Sequence, residues 1–509
     1  MTIASAWSIA LEGMTGTLVE VEAAISSGLP RTVLVGLPDT ALHEARDRCR
    51  AALTACEFGW PNELLTINLT PASMPKAGSH YDLAIAAAVL AASGVVPRRR
   101  ALDMVLMGEL GLDGRVRPVR GILPGLLAAQ RCGRTVAVVP MQQVGEARLV
   151  DGLRVLGVSC LDDLVEVLLG REVPETGEVA SLSSQPVASG PPPDMSELLG
   201  QPEARWAAEV AAAGGHHMLL QGPPGVGKTM LAVRVPGLLP ELTTAEALEV
   251  SALHSLAGHN LNGGLIRRPP FANPHHNATM AAMVGGGSRM ARPGAISLAH
   301  KGILFLDESP EFSPQVMEAL RTPMESGVVS IARSQGIVHY PAQFQLILAA
   351  NPCPCGMAGT PGAQCRCPAS SIRRYNARLS GPILDRVDIH QRMGSVTQAM
   401  ANADTFAERT STMAARVAEA RERSRQRWQG GGWCRNADVP GHIARAGLPD
   451  AGLAMIEKDI LRGHMSARGV DKIARLAWTL ADLAGHDRVS VGDVSAAMAL
   501  HQGEWMVAV

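Results

Sequence analysis

The run Gly222, Pro223, Pro224, Gly225, Val226, Gly227, Lys228 and Thr229 follows an apolar stretch and precedes a helical one. Glycines at these spacings let successive backbone N–H groups converge on phosphate oxygens without Cβ clashes, and the N-terminus of the next helix adds a favourable field. Lys228 supplies a cation for β- and γ-phosphates, and Thr229 a hydroxyl for Mg²⁺. A second apolar stretch, Ile303–Leu306, ends in Asp307 and Glu308. Asp307 suits the Mg²⁺ hydration shell, and Glu308 suits the polarisation of an attacking water. A third, Gln345–Ala350, ends at Asn351, whose amide can position that water against a γ-phosphate. Any one of these runs alone reads as plain core. Three in series, each ending in a polar residue that hydrolysis needs, predict an enzyme that binds ATP and Mg²⁺ and cleaves the nucleotide.

Four of the nine cysteines fall directly after Asn351, as Cys353, Cys355, Cys365 and Cys367. Four thiolates suit a structural Zn²⁺, although the pairs are C-x-C and not the common C-x₂-C. Free thiols packed in a Gly- and Pro-rich turn are the alternative. Cys49, Cys56, Cys132, Cys160 and Cys434 show no spacing, as expected of buried thiols in a reducing cytoplasm.

The elements that must position these groups need several cores, and 509 residues with 47% hydrophobic content can supply them. A Pro-, Ser-, Gly- and Glu-rich stretch at 171–194 predicts a mobile linker. Before it, residues 1–170 alternate short β-like runs with helical ones, an α/β or α+β pattern. Residues 195–390 repeat strand–helix alternation around the phosphate loop, and 391–509 are helical. A net charge of −1 excludes a globally basic nucleic-acid binder but not a local basic surface. No targeting segment is visible at the start of the sequence. The longest apolar run, Leu83–Val96, falls short of the ~20 residues that span a bilayer. A buried helix, no membrane partner and a cytoplasmic location are expected.

Together the three strand-end motifs resemble those of the AAA+ ATPases. Residues 269–312 ("PPFANPHHNATMAAMVGGGSRMARPGAISLAHKGILFLDESPEF"), with "NPCPCG", "CRCP" and "RRYNARLSGPILDRVDIH" downstream, resemble the magnesium-chelatase-like ATPases of the ComM/YifB family across essentially the full chain. Two positions depart. The family usually has Arg where Ala272 stands and Thr where Asn277 stands, which predicts a missing basic contact. The resemblance implies a multidomain α/β protein: a P-loop AAA+ core with a parallel sheet, a C-terminal helical lid, and assembly into a hexameric ring. A neighbour's arginine then reaches the γ-phosphate. Arg386 in "ILDR" matches that finger, and Arg468 in "GHMSARG" matches the second sensor of the lid. A surface ion pair is the plainer reading of either.

The first 170 residues resemble the proteolytic domain of Lon, an α+β fold of the ribosomal S5 domain 2 type, in "PKAGSHYDLAIAAAVLAASG" and "GELGLDGRVRPVRGILPGLLAAQRCGRTVAVVP". Lon-type enzymes need a serine activated by a lysine. Here His80 stands at the serine position and Leu123 at the lysine position. Ser79 is one residue off, and Lys76 belongs to the preceding loop. A leucine cannot act as a base, so a retired protease fold serving assembly or partner binding is expected.

Two insertions are candidates to face a ring's central pore. One carries Arg267, Arg268, His275, His276 and Arg289; the other is an expected hairpin, "VVSIARSQGIVHY", with Arg333 near its tip. Basic residues there would give sequence-independent, salt-dependent DNA binding; ordinary solvated loops are the alternative. Arg416, Arg421, Arg423, Arg425 and Arg427, interleaved with Glu419 and Glu422, read as a solvated or inter-subunit face. The leading function is an ATP-driven motor on DNA, as the family resemblance implies: branch migration in recombination or natural transformation, with recombination proteins as partners. A chelatase-type subunit powering metal insertion, and a scaffold that uses ATP only to assemble, compete with it.

Overall fold

A computed structural model of the chain describes residues 1–36, 40–72, 76, 78–171, 193–261, 264–287, 291–333, 336–359, 364–395, 407–463 and 465–503. The expected linker lies almost wholly outside them, as does Arg289.

The N-terminal region is built on a seven-stranded mixed sheet. Strands Thr2–Glu12 and Thr15–Ser26 form a long antiparallel pair, with Thr2 opposite Ile25 and Glu12 opposite Thr15. Val19, Val21, Ala23 and Ile25 are buried, so the period-2 alternation gives the second strand one core face. Leu64–Thr70 and Arg31–Val35 continue the sheet on one side; Val105–Leu106, Val136–Pro140 and Arg154–Val158 continue it on the other. The longest apolar run forms the helix Asp82–Ala92, and every one of its residues is buried. Among the described residues, no helix is long and apolar enough to cross a membrane.

A second sheet has five parallel strands in the order Phe271–Ala272, Ile303–Leu306, Gln345–Ala350, Met218–Gln221, Ile389–Arg392. All residues of the second and third are buried, the continuous apolar pattern of a parallel sheet covered on both faces. Because the strands are parallel, their C-terminal ends share one edge. Gln221 pairs with Ala350 and Leu306 with Leu348. The residues that follow each strand are therefore delivered side by side.

Helices Thr410–Trp428, Ala467–Ala484 and Val491–Gln502 pack with helix Pro202–Gly214 and the sheet in one core. Here the reading of the arginine-rich helix is corrected. Arg421 donates to the Ala212 carbonyl at 2.9 and 2.7 Å, near the end of helix Pro202–Gly214. Arg416 clasps Glu209 at 2.6 and 3.0 Å and also pairs with Glu408. Arg423 donates to the Asp482 carbonyl at 2.7 Å, and Arg427 pairs with the buried Asp482 carboxylate at 3.0 Å. Helix-end carbonyls and buried carboxylates draw these guanidiniums inward. Arg425 alone of the five is exposed, paired with Glu422. The scattered cysteines also differ from expectation: Cys49 is buried, but Cys132 and Cys434 are exposed.

The two sheets are joined by more than chain connectivity. Helix Thr244–Ala257 lies on helix Ile122–Arg131, and Ala252 and Leu261 enter a core with Ile122, Leu123 and Leu126. Beneath it the buried Glu146 carboxylate accepts from Ser255 Oγ and, at 3.2 Å, from the Leu123 N–H. Burial raises the Glu146 pKa. The expected hairpin forms from Val328–Arg333 and Gly336–Pro341. One of its faces, Val338 and Tyr340, is packed with Leu253 and Leu256 and against Leu11 and Met14. That face is closed to a pore. Ser330, Ala332, Ile337 and His339 remain exposed on the hairpin.

Candidate nucleotide site and cysteine cluster

Strand Met218–Gln221 runs into the phosphate loop, and helix Lys228–Ala232 starts at Lys228. Gly225 and Gly227 have φ of +81° and +93°, conformations that a side chain would strain. Lys228 is buried, and its Nζ donates to the carbonyls of Gly222 at 2.7 Å and Pro223 at 2.9 Å. Its third bond, also 2.9 Å, goes to Asn351 Oδ1. Burial lowers the Lys228 pKa, against the pull of Asp307 and Glu308. Thr229 Oγ1 donates to Asp307 Oδ2 at 2.7 Å. Thus the adjacent Lys228 and Thr229 each hold a residue from another strand end, Asn351 and Asp307, at one edge of the sheet. Incoming phosphate oxygens and Mg²⁺ are suited to replace these mutual bonds with bonds to the nucleotide.

Glu308 follows at φ +50°, ψ +43°, a left-handed conformation uncommon for a residue with a side chain. Its backbone N–H donates to Asp307 Oδ1 at 2.9 Å. The Glu308 carboxylate lies 3.3 Å from His276 Nδ1, and the His276 ring lies 4.1 Å from that of His275. Sequence reasoning placed His276 in a basic insertion and missed this contact. The signal was there: "NPHH" follows the strand Phe271–Ala272, whose parallel partner is the strand that delivers Glu308. Ala272, where a basic contact was expected to be missing, instead pairs with Leu304 and packs against the apolar core. Asn277 is exposed, and its N–H donates to His275 Nδ1 at 3.2 Å. Arg267 and Arg268 are exposed as well. Arg333 donates to the Gly287 carbonyl, so the hairpin and the first insertion touch.

Arg386 and Arg468 come together, but away from this group. Arg386 donates to the Pro382 carbonyl at 2.6 Å and pairs with Glu325; Arg468 donates to Asp385 Oδ2 at 2.6 Å. Both line a cavity of about 570 Å³ together with Lys472 and Arg475. Its walls also include His217, Phe344 and Asp388, the residues just before strands Met218–Gln221, Gln345–Ala350 and Ile389–Arg392. The cavity therefore opens at the N-terminal edge of the sheet, and the phosphate loop stands at the C-terminal edge.

The sulfurs of Cys353, Cys355, Cys365 and Cys367 all lie within 4.8 Å of one another. Cys353 is buried at the base and Cys355 is exposed. The Ala358 N–H donates to Cys353 Sγ at 3.3 Å. The Met357 N–H, chiefly, and the neighbouring thiols hold the Cys355 thiol down to about 6. Four soft donors converging with backbone N–H support are a set that fits Zn²⁺.

In the N-terminal region, His80 is buried, with Nε2 at 2.7 Å from the Ile9 carbonyl, and burial lowers its pKa to about 4. Leu123 is fully buried in the core, and the buried Lys76 turns its Nζ to the carbonyl of Gly36 at 3.3 Å.

The model of the magnesium chelatase subunit ChlI matches residues 194–401, and those of subunit ChlI of Mg-chelatase and of the ChlI C-terminal part match 21–143 and 407–501. Competence protein ComM of Haemophilus influenzae is 37% identical, over 96% of this chain and 95% of that protein. The chain belongs to the ComM/YifB family of magnesium-chelatase-like AAA+ ATPases. An uncharacterized protein of Mycobacterium tuberculosis is 50% identical over 99% of both chains. Likeness to Lon is local: Lon protease 1 of Thermus thermophilus is 28% identical over 33% of this chain and 22% of that protein. The group around Lys228 is the candidate nucleotide site of this AAA+ chain.

Proposed function

We propose that the chain is the ATP-hydrolysing subunit of a hexameric ring that drives branch migration of DNA. One observation carries the ring: Arg386 and Arg468 line a cavity at the sheet edge opposite Lys228. Arginines placed there cannot serve the chain's own phosphate loop, but they can serve a loop presented by a neighbour. In this reading Lys228 and the loop amides hold the phosphates, while Thr229 and Asp307 hold Mg²⁺, which supplies charge neutralisation at the β- and γ-oxygens. Glu308 orients the attacking water, Asn351 fixes it, and the neighbour's Arg386 and Arg468 stabilise the charge that develops on the γ-phosphate. DNA as the track is supported by the exposed Arg267, Arg268 and His275 on the insertion that also carries His276, and by the competence name of the related ComM. Recombination proteins are the partners this reading calls for. Cofactors are ATP and Mg²⁺, with structural Zn²⁺ at the four thiolates. The N-terminal region serves assembly, since Leu123 offers no base for peptidase chemistry.

The experiment is phosphate release across a dilution series, with and without branched DNA. Activity per chain should fall steeply on dilution and rise with DNA. Arg386→Ala should bind ATP yet stay inactive, and mixing it with Lys228→Ala should restore part of the rate. A monomer whose turnover ignores branched DNA would instead favour the chelatase-type reading, for which the matching magnesium chelatase models speak.

A further inference from the structure

Three of the four thiols stand at distances close to those of a tetrahedral thiolate site. Cys353 and Cys355 sulfurs are 3.4 Å apart, Cys353 and Cys365 3.7 Å, Cys355 and Cys365 3.6 Å. A tetrahedron with Zn–S bonds of about 2.3 Å has edges of about 3.8 Å. The triangle of sulfurs is thus already close to the face of a tetrahedral zinc–thiolate site. Cys367 completes the set of four within 4.8 Å.

The loop that carries the first pair is pressed against the phosphate loop. The Gly356 N–H closes a turn on the Cys353 carbonyl at 2.9 Å, and Gly356 takes φ of +79°. A Cβ added at Gly356 would lie 2.5 Å from Cδ and 3.0 Å from Cγ of Pro224, in the middle of the phosphate loop. Immediately before the cysteines, Asn351 Oδ1 holds Lys228 Nζ at 2.9 Å. The segment 351–356 therefore touches the phosphate loop at two points, Pro224 and Lys228. Few apolar side chains hold this segment: Cys353 is buried, but Cys355 is exposed and Met357 is 36% exposed. Its shape must come from something other than a core.

We infer that the thiolate-bound metal is a brace for the phosphate loop, so that loading of the cysteine cluster sets how tightly the chain holds nucleotide. This rests on the structural Zn²⁺ reading above. Zinc fixes the Cys353–Cys355 turn, the turn sets Gly356 against Pro224, and the same short segment fixes the register of Asn351 on Lys228. Without the metal, four thiols no longer share one centre, and the Gly356 contact loses its support. The effect is on ground-state binding of the nucleotide and needs no metal contact with ATP.

The test uses the full chain. Zinc per chain is measured by elemental analysis, and Kd for a fluorescent ATP analogue is measured before stripping with a thiol-reactive mercurial and chelator, after it, and after thiol reduction and Zn²⁺ return. Near one zinc per chain is expected, with affinity weakened about 10-fold on stripping and recovered on return. Pro224→Ala removes the ring that meets Gly356. In that variant zinc content should be unchanged, but stripping should no longer move Kd as far. Gly356→Ala should weaken nucleotide binding while zinc is retained. Stoichiometric zinc with a Kd indifferent to its removal, in the parent chain and in Gly356→Ala alike, overturns the brace and leaves the metal site standing. Chain purified from zinc-supplemented cells with no metal, and with all four thiols of this cluster titratable, overturns the zinc reading and the brace with it.

Discussion

His80 and Glu308 both sit where a catalytic group would be expected, and the fold treats them in opposite ways. In the N-terminal region the positions expected, from the local likeness to Lon, to carry catalytic groups are closed off. His80 is 2% exposed and spends Nε2 on the Ile9 carbonyl, and Leu123 is packed in the core. At the edge of the parallel sheet the Glu308 side chain is 52% exposed, Lys228 holds Asn351 and Thr229 holds Asp307. The difference is physical. A polar residue delivered to the open end of parallel strands meets solvent and substrate, whereas His80, buried just before helix Asp82–Ala92, has its Nε2 engaged by a backbone carbonyl. Resemblance to a catalytic fold therefore says little about chemistry until the strand-end residues are read one by one.

The largest effects should fall on the open site. Lys228→Ala should abolish nucleotide binding in an equilibrium assay, and Glu308→Gln should bind ATP but release phosphate at least ~100-fold more slowly. His80→Ala and Ser79→Ala should leave hydrolysis in place, and the parent chain should cleave no casein. Peptidase activity would erase the contrast between the two regions.

A smaller effect sharpens the same contrast. His276 ties the Glu308 carboxylate to the insertion at 3.3 Å, and a carboxylate so engaged is not free to orient water. His276→Ala should raise DNA-free hydrolysis about three- to fivefold, the size of a partly exposed polar contact, with ATP affinity unchanged. A variant that loses affinity and rate together would show that His276 holds the loop and not the carboxylate.

Acid should act most gently and on both regions. Burial lowers the pKa of His80, His217, His254 and His390 to about 4, from an ordinary 6.5. The unfolded chain binds these protons first, so their neutral burial stabilises fully above about pH 6.5 and that contribution is lost as pH falls toward 4. Denaturant midpoints should drop modestly between pH 7 and 6 and further by pH 5. His80 lies in the N-terminal region and the other three lie in or beside the ATPase core, so core probes should respond more strongly. A flat profile from pH 7 to 5 would count against buried neutral imidazoles.

What was legible in the sequence was local. The glycine spacing at Gly222–Thr229, the apolar runs that stop at Asp307 and Asn351, and the fully apolar Leu83–Val96 each declare themselves within a few residues, because strand and helix periodicity act over that range. The missed features are non-local. Nothing in "NPHHN" announces that His276 will meet Glu308 without the strand order. The arginines of Thr410–Trp428 looked solvated because their partners, Glu209, Ala212 and Asp482, lie 207, 209 and 55 residues away. The position of Arg386 and Arg468 relative to Lys228 likewise follows from the parallel direction of the strands and not from spacing.

Helix Thr244–Ala257 belongs to three apolar clusters at once, and Ser255 shares the buried Glu146 carboxylate with the N-terminal region. A chain cut within 172–192 would leave each piece with half of a wet-averse seam and a buried acid whose hydroxyl partner sits on the other piece. The two fragments are thus complementary surfaces before they are separate modules: made as independent polypeptides, each is the other's missing lining, and the covalent link contributes mainly a high effective concentration.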